Sequence, residues 1–144
     1  MDDQLFFLIA VGLAAAAAGH FYRRKRAMRL PDVTDATFIE HLLHHQSVEI
    51  SPDAIIRERT RVARILSVPP AKLAPHQTST DLSKRFGYLA EFSIAWNDLL
   101  EEASEARTSA NLKPREETRL TLGDIIQDLC LATRPPIKHK QEVN

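Results

Sequence analysis

Cysteine is nearly absent from this chain. Cys130 stands alone, so no intrachain disulfide can form, which suits a reducing compartment. Glycine is scarce too: four in 144 residues leave no glycine-rich loop to cradle a phosphate. Ordered Ser/His/Asp triads and paired catalytic carboxylates cannot be assigned. No reaction is named by these residues, and neither an enzyme nor a cofactor is expected. Beyond residue 29 there is no basic stripe interleaved with aromatics, so nucleic acid is not an expected partner. No internal repeat is evident.

What the chain does have is an uncharged apolar run, Leu5 to Tyr22, closed by Arg23, Arg24, Lys25 and Arg26, with Arg29 just beyond. As a helix the run reaches roughly 27 Å, against ~30 Å for a bilayer's hydrocarbon core. Leu5, Phe6, Phe7, Leu8, Ile9, Val11, Leu13 and Phe21 together contribute roughly −2 to −5 kcal/mol to insertion. Ala14 to Ala18 add helix propensity more than hydrophobicity, and Ala15 with Gly19 makes a small-xxx-small pair. A secretory signal places its positive charge before the apolar run; here Asp2 and Asp3 come first and the basic residues follow. The expectation is a single-pass transmembrane helix with its N-terminus outside and the rest of the chain cytoplasmic, in a bacterial inner membrane. The lipid bilayer and its anionic headgroups are then partners, met by Arg23, Arg24, Lys25, Arg26 and Arg29.

Nineteen basic and nineteen acidic side chains cancel in the formal charge. Residues 1–29 hold five basic and two acidic, so residues 30–144 hold fourteen basic and seventeen acidic. The domain behind the anchor is therefore mildly acidic.

Leu30-Pro31-Asp32 breaks the first helix. Thr34 to His45 reads as a helix capped by Asp35 or Thr37, with Thr37 and Glu40 at capping-box spacing and Phe38, Ile39, Leu42 and Leu43 as its apolar stripe. His41 and His45 lie four residues apart, a spacing that lets two imidazoles share a metal, with His44 beside them. No cysteine or acid completes a ligand set, and histidines in a last turn also complement the helix dipole. Ser51-Pro52-Asp53 opens the next helix, with Ser at N-cap and Pro at N1. It is expected to run to about Leu66, burying Ile55, Val62, Ile65 and Leu66. Arg57, Arg59, Arg61 and Arg64 read as a solvated face, or one touching anionic headgroups. Val68-Pro69-Pro70 stops that helix, and Ala71 to Ser83 reads as a long connection.

A helix over about Phe86 to Ala106 follows, with Leu89, Phe92, Trp96, Leu99, Leu100 and Ala103 at helical spacing and an acidic outer side of Glu91, Asp98, Glu101, Glu102 and Glu105. Thr108 to Leu120 is a polar connection. Thr121 to Ala132 is the last helix, opened by Thr121 and Asp124 as a capping box, with Ile125, Ile126, Leu129 and Cys130 buried. Residues 134–144 read as a disordered polar tail.

From Ile55 to Leu131 the order of features resembles an acyl carrier protein. The residues that carry the likeness are Ile65-Leu66-Ser67-Val68, Leu73-Ala74-Pro75, Asp81-Leu82, Leu100-Glu101-Glu102, Leu112-Lys113-Pro114-Arg115-Glu116 and Thr121-Leu122-Gly123-Asp124-Ile125-Ile126. The family attaches phosphopantetheine to the serine of an Asp-Ser-Leu motif at the start of its second helix. This chain departs there: Gly87-Tyr88-Leu89 falls opposite the motif, with Tyr88 in the serine's place, and Ser83 is the nearby hydroxyl. The resemblance implies a small all-α bundle in which Ser83 is the only candidate for carrying the group.

The expected architecture is all-α: an anchor with its basic flank over 1–29, a linker helix over 30–50, a carrier-like bundle over 51–133 and a tail over 134–144. The expected function is a non-enzymatic, membrane-tethered protein-interaction module. The alternatives are a working acyl carrier using Ser83 and a metal-binding protein using His41 and His45.

Overall fold

The computed structural model describes residues 3–44, 49–86, 90–116 and 119–133. Among them are six α-helices and no strand: α1 (Asp3–Ala27), α2 (Asp35–His44), α3 (Pro52–Ile65), α4 (Ser79–Phe86), α5 (Ala90–Ser109) and α6 (Leu122–Ala132). One 3-10 turn, Pro70–Lys72, lies between α3 and α4.

The twenty-five residues of α1 span about 37 Å. None of its most apolar eighteen-residue stretch is buried against the rest of the protein. The helix is long and apolar enough to cross a membrane. Its basic end meets the bundle, where Ala27 is buried in the core and α1 packs on α4.

The bundle is organised on α6, which packs along both α5 and α3. The centre is thus α6 rather than the longer α5 that carries Trp96. Leu122, Ile125, Ile126 and Leu129 are fully buried, whereas α5 keeps Ile94 and its acids in solvent. Phe38 and Leu42 of α2 join the same core beside Ile55 and Val62 of α3.

Local chemistry sets the helix ends. The Ser51 hydroxyl accepts from the Ala54 N–H with Pro52 at the first position, as its sequence implies. Thr121 and Asp124 form the expected reciprocal capping box. α2 is different: its cap is Thr34, whose hydroxyl accepts from the Thr37 N–H, rather than Asp35 or Thr37. A second box appears where a connection was expected. The Thr78 N–H and hydroxyl both donate to Asp81 Oδ2, at 3.0 and 2.9 Å. That box starts α4 inside the Thr/Ser cluster, so residues 79–83 are helical. α3 ends on Ser67 and α5 on Asn111, both in the left-handed region at φ 54° and 55°. Beyond them the Val68 and Leu112 N–H groups reach back to the Ala63 and Arg107 carbonyls, closing each helix in the Schellman manner. Two further corrections concern α3: Ile65 is exposed rather than buried, and Arg59 is buried rather than solvated.

The loop between the 3-10 turn and α4 is held by Gln77, which is fully buried. Its Oε1 accepts from the Ala74 N–H at 2.7 Å, and its own carbonyl accepts from the Leu122 N–H at 2.7 Å. Next to it the Gly123 N–H donates to the Pro75 carbonyl at 2.8 Å. A Cβ on Gly123 would stand 2.9 Å from that carbonyl oxygen and 3.2 Å from Pro75 Cβ. Gly123→Ala should therefore destabilise the bundle by about 1–3 kcal/mol through overpacking, although alanine is the better helix former by up to ~1 kcal/mol. A lower urea midpoint, followed by Trp96 fluorescence, is the expected reading. An unchanged or higher midpoint would mean the Pro75 loop yields at no cost.

Candidate functional site

The five basic residues after the apolar run are all exposed. Arg24 donates to the Ser67 carbonyl at 3.2 Å. Arg23 and Arg26 line a cavity of about 290 Å³ whose other walls are Ala27, Leu30, Lys84 and Arg85. The last two come from the final turn of α4, brought there by its packing on α1. Sequence reasoning missed Lys84 and Arg85. The Thr78-x-x-Asp81 spacing, which starts a helix whose last turn they occupy, was the signal.

The connector between α1 and the rest of the bundle is fixed at several points. Lys72 forms an ion pair with Asp32 at 2.7 Å and donates to the Leu30 carbonyl. The Val33 N–H donates to the Ala71 carbonyl at 2.7 Å. Arg59, 2% exposed, sits beneath the same segment. Its guanidinium donates to Asp35 Oδ1 at 2.6 Å and to the Val33 and Leu73 carbonyls at 2.8 and 2.9 Å. It also lies over the Phe38 ring, 4.4 Å from the centroid. Burial lowers its pKa from the ordinary value, while the hydrogen bond and charge of Asp35 act against that shift.

Of the other arginines on α3, Arg61 bridges Glu58 and Glu102 at 2.7 and 2.8 Å, and Arg57 and Arg64 remain exposed. Arg115 performs a similar task at the far end of the bundle. It donates to Asp124, Gln127 and Asp128, and Asp128 also accepts from Arg107 at 2.9 Å. This network fastens residues 113–115 to α6 beside a groove of about 500 Å³ along α5.

Ser83 lies inside α4 and is 3% exposed. Its hydroxyl donates to the Thr80 carbonyl at 3.1 Å. It lines a shallow groove of about 160 Å³ with Ser79, Thr80, Phe92, Ser93, Trp96 and Asn97. The serine and the tryptophan that the sequence singled out separately are thus neighbours. An acceptor of a pantetheine arm has to be presented at a helix start, with the phosphodiester at the positive end of the dipole; Ser83 is instead in the second turn. Tyr88 and Leu89, opposite the carrier motif, lie outside the described residues, as do His45 and residues 134–144.

The pair of His41 with His45 is accordingly not placed, and His44 is exposed. Among the described residues no group of three or more His, Cys, Asp or Glu side chains is gathered for a metal ion. Cys130 is buried on α6, and burial pushes its thiol up to about 12, far from the range of a reactive cysteine.

Compared with protein-family models, with curated proteins and with solved structures, the chain matches none. The likeness to acyl carriers rests on the residues and their order alone.

Proposed function

We propose that this is a membrane-anchored, non-enzymatic interaction module that holds a small helical bundle at a fixed position against the cytoplasmic face of a membrane. The observation that carries this reading is how α1 ends. Its apolar length is free of the bundle, while its basic end is clamped to it through Ala27, the Arg24 bond to Ser67 and the Lys72 contacts with Leu30 and Asp32. A flexible tether would let the bundle roam; this join keeps it at the surface. The charge order, acids before the span and arginines after it, favours the bundle on the cytoplasmic side.

The face left for a protein partner is the outer stripe of α5. Glu91 and Asp98, each about one turn from Ile94, are exposed, as are Glu101 and Glu105 further along α5, and Ile94 is 61% exposed. An apolar side chain on an acidic helix face suits a basic partner surface with a small hydrophobic contact.

The full-length protein should remain in the membrane pellet through washes with high salt and with carbonate, and removal of residues 1–22 should release it. A reporter fused after Asn144 should be active only in a form that works in the cytoplasm. Release of the intact chain by salt alone would leave only the arginine cluster holding it to the surface, and would refute the spanning helix.

A further inference from the structure

We propose that the cavity between the end of α1 and the last turn of α4 binds the phosphate-bearing headgroup of an anionic membrane lipid, with Arg23, Arg26, Lys84 and Arg85 as its ligands. The proposal rests on the reading that α1 spans the membrane with its basic end at the cytoplasmic face. A basic flank after a transmembrane helix is ordinary. Two further cations delivered to the same cavity by a helix almost sixty residues later are not explained by that rule.

The lining holds four cations and no acid, with Ala27 and Leu30 as its apolar part. Among the described residues none of the four cations has a carboxylate at ion-pair distance. The acid nearest in sequence, Asp81, accepts from the Thr78 N–H and hydroxyl; it feels the charges of Arg85 and Lys84 but forms an ion pair with neither. The carboxyl ends of α1 and α4 each offer roughly half a negative charge to their own basic residues. Four full charges exceed that, and the surplus is what an anion would balance.

Position selects the anion. Arg23 directly follows Tyr22, the last residue of the apolar run, so the cavity lies at the depth of the headgroup layer. Guanidinium forks from Arg23, Arg26 and Arg85 match the paired oxygens of a phosphodiester, and Lys84 adds a point charge.

The test uses the full-length protein in nanodiscs of phosphatidylcholine with phosphatidylglycerol as the minor lipid, extracted gently and analysed for the lipid it retains. Retained lipid should be enriched in phosphatidylglycerol. K84Q/R85Q should cut that enrichment about tenfold or more, while K84R, which keeps the charge, should preserve it. K113Q/R119Q removes the same charge from exposed positions between α5 and α6, outside the cavity, and should leave the enrichment unchanged. Circular dichroism of each variant checks that the helices persist.

Equal enrichment in K84Q/R85Q and the parent, or equal loss in both double variants, would overturn the proposal while leaving the anchor intact. Failure to enter phosphatidylcholine discs at all would instead sink the anchor reading. Inorganic phosphate bound by the detergent-solubilised protein and lost in K84Q/R85Q, with no phosphatidylglycerol enrichment in the parent, would assign the cavity to free phosphate and overturn the lipid.

Discussion

Trp96→Ala should leave the bundle barely folded. Trp96 is 6% exposed and belongs to the same core as Leu82, Phe86, Leu99 and Leu122. Its ring stacks on Phe92 with centroids 6.1 Å apart and an interplanar angle of 17°, and both rings wall the groove that contains Ser83. Deleting an indole from such a site removes its transfer free energy and leaves a cavity between α5 and α4, at about 3–5 kcal/mol. A domain of roughly this size has about 5–10 kcal/mol in total, so the loss consumes most of it. Urea unfolding followed by circular dichroism should show the midpoint falling steeply. In the parent, the Trp96 emission should be blue-shifted and poorly quenched by iodide. An exposed, iodide-accessible Trp96 whose removal is silent would refute the packing of α5 described above.

The parts of this fold that were legible in the sequence are those with strong local signals. The helix of α1, the Ser51-Pro52-Asp53 start and the Thr121–Asp124 box each depend on a few adjacent residues and appear where the pattern puts them. The all-α class followed from periodicity in the same way. α4 was missed although it carries the same signal: Thr78 and Asp81 stand at the spacing of Thr121 and Asp124. The reason is composition. Pro75 and a run of Thr and Ser read as a loop, and the apolar stripe that would have declared a helix is only Leu82 and Phe86 in eight residues.

Missing α4 also hid the cavity at the end of α1, because Lys84 and Arg85 reach Arg23 and Arg26 only through tertiary packing. Arg59 was misplaced for a related reason. Its neighbours Arg57, Arg61 and Arg64 are indistinguishable from it in a helical projection of charge, and the acceptors that make its burial tolerable lie outside α3. Two of them are backbone carbonyls, which no sequence pattern displays.

Those carbonyls set the second large expectation: Arg59→Ala should destabilise the protein by about 3–5 kcal/mol, and Asp35→Asn by no more than about 1 kcal/mol. The ion pair looks symmetrical in distance but not in burial, with the Arg59 side chain 2% exposed and that of Asp35 54% exposed. Without Asp35's charge, water still screens that end of the guanidinium, and the bonds to Val33 and Leu73 survive. Without the guanidinium, those two carbonyls lose the donor that Arg59 supplied, the Phe38 face loses its cation, and a cavity opens between α2 and α3. Arg59 is not ideally housed, since its Nε lacks a partner and burial already lowers its pKa. An apolar residue that filled the volume would offset part of the loss, so Arg59→Met should fall between the two. Urea midpoints read by Trp96 fluorescence give the order. Equal losses for Asp35→Asn and Arg59→Ala would mean the ion pair, not the carbonyl bonds, joins α2 to the bundle. That result would also weaken the fixed connection between α1 and the bundle, because Val33 lies on the segment that Lys72 and Ala71 hold in place.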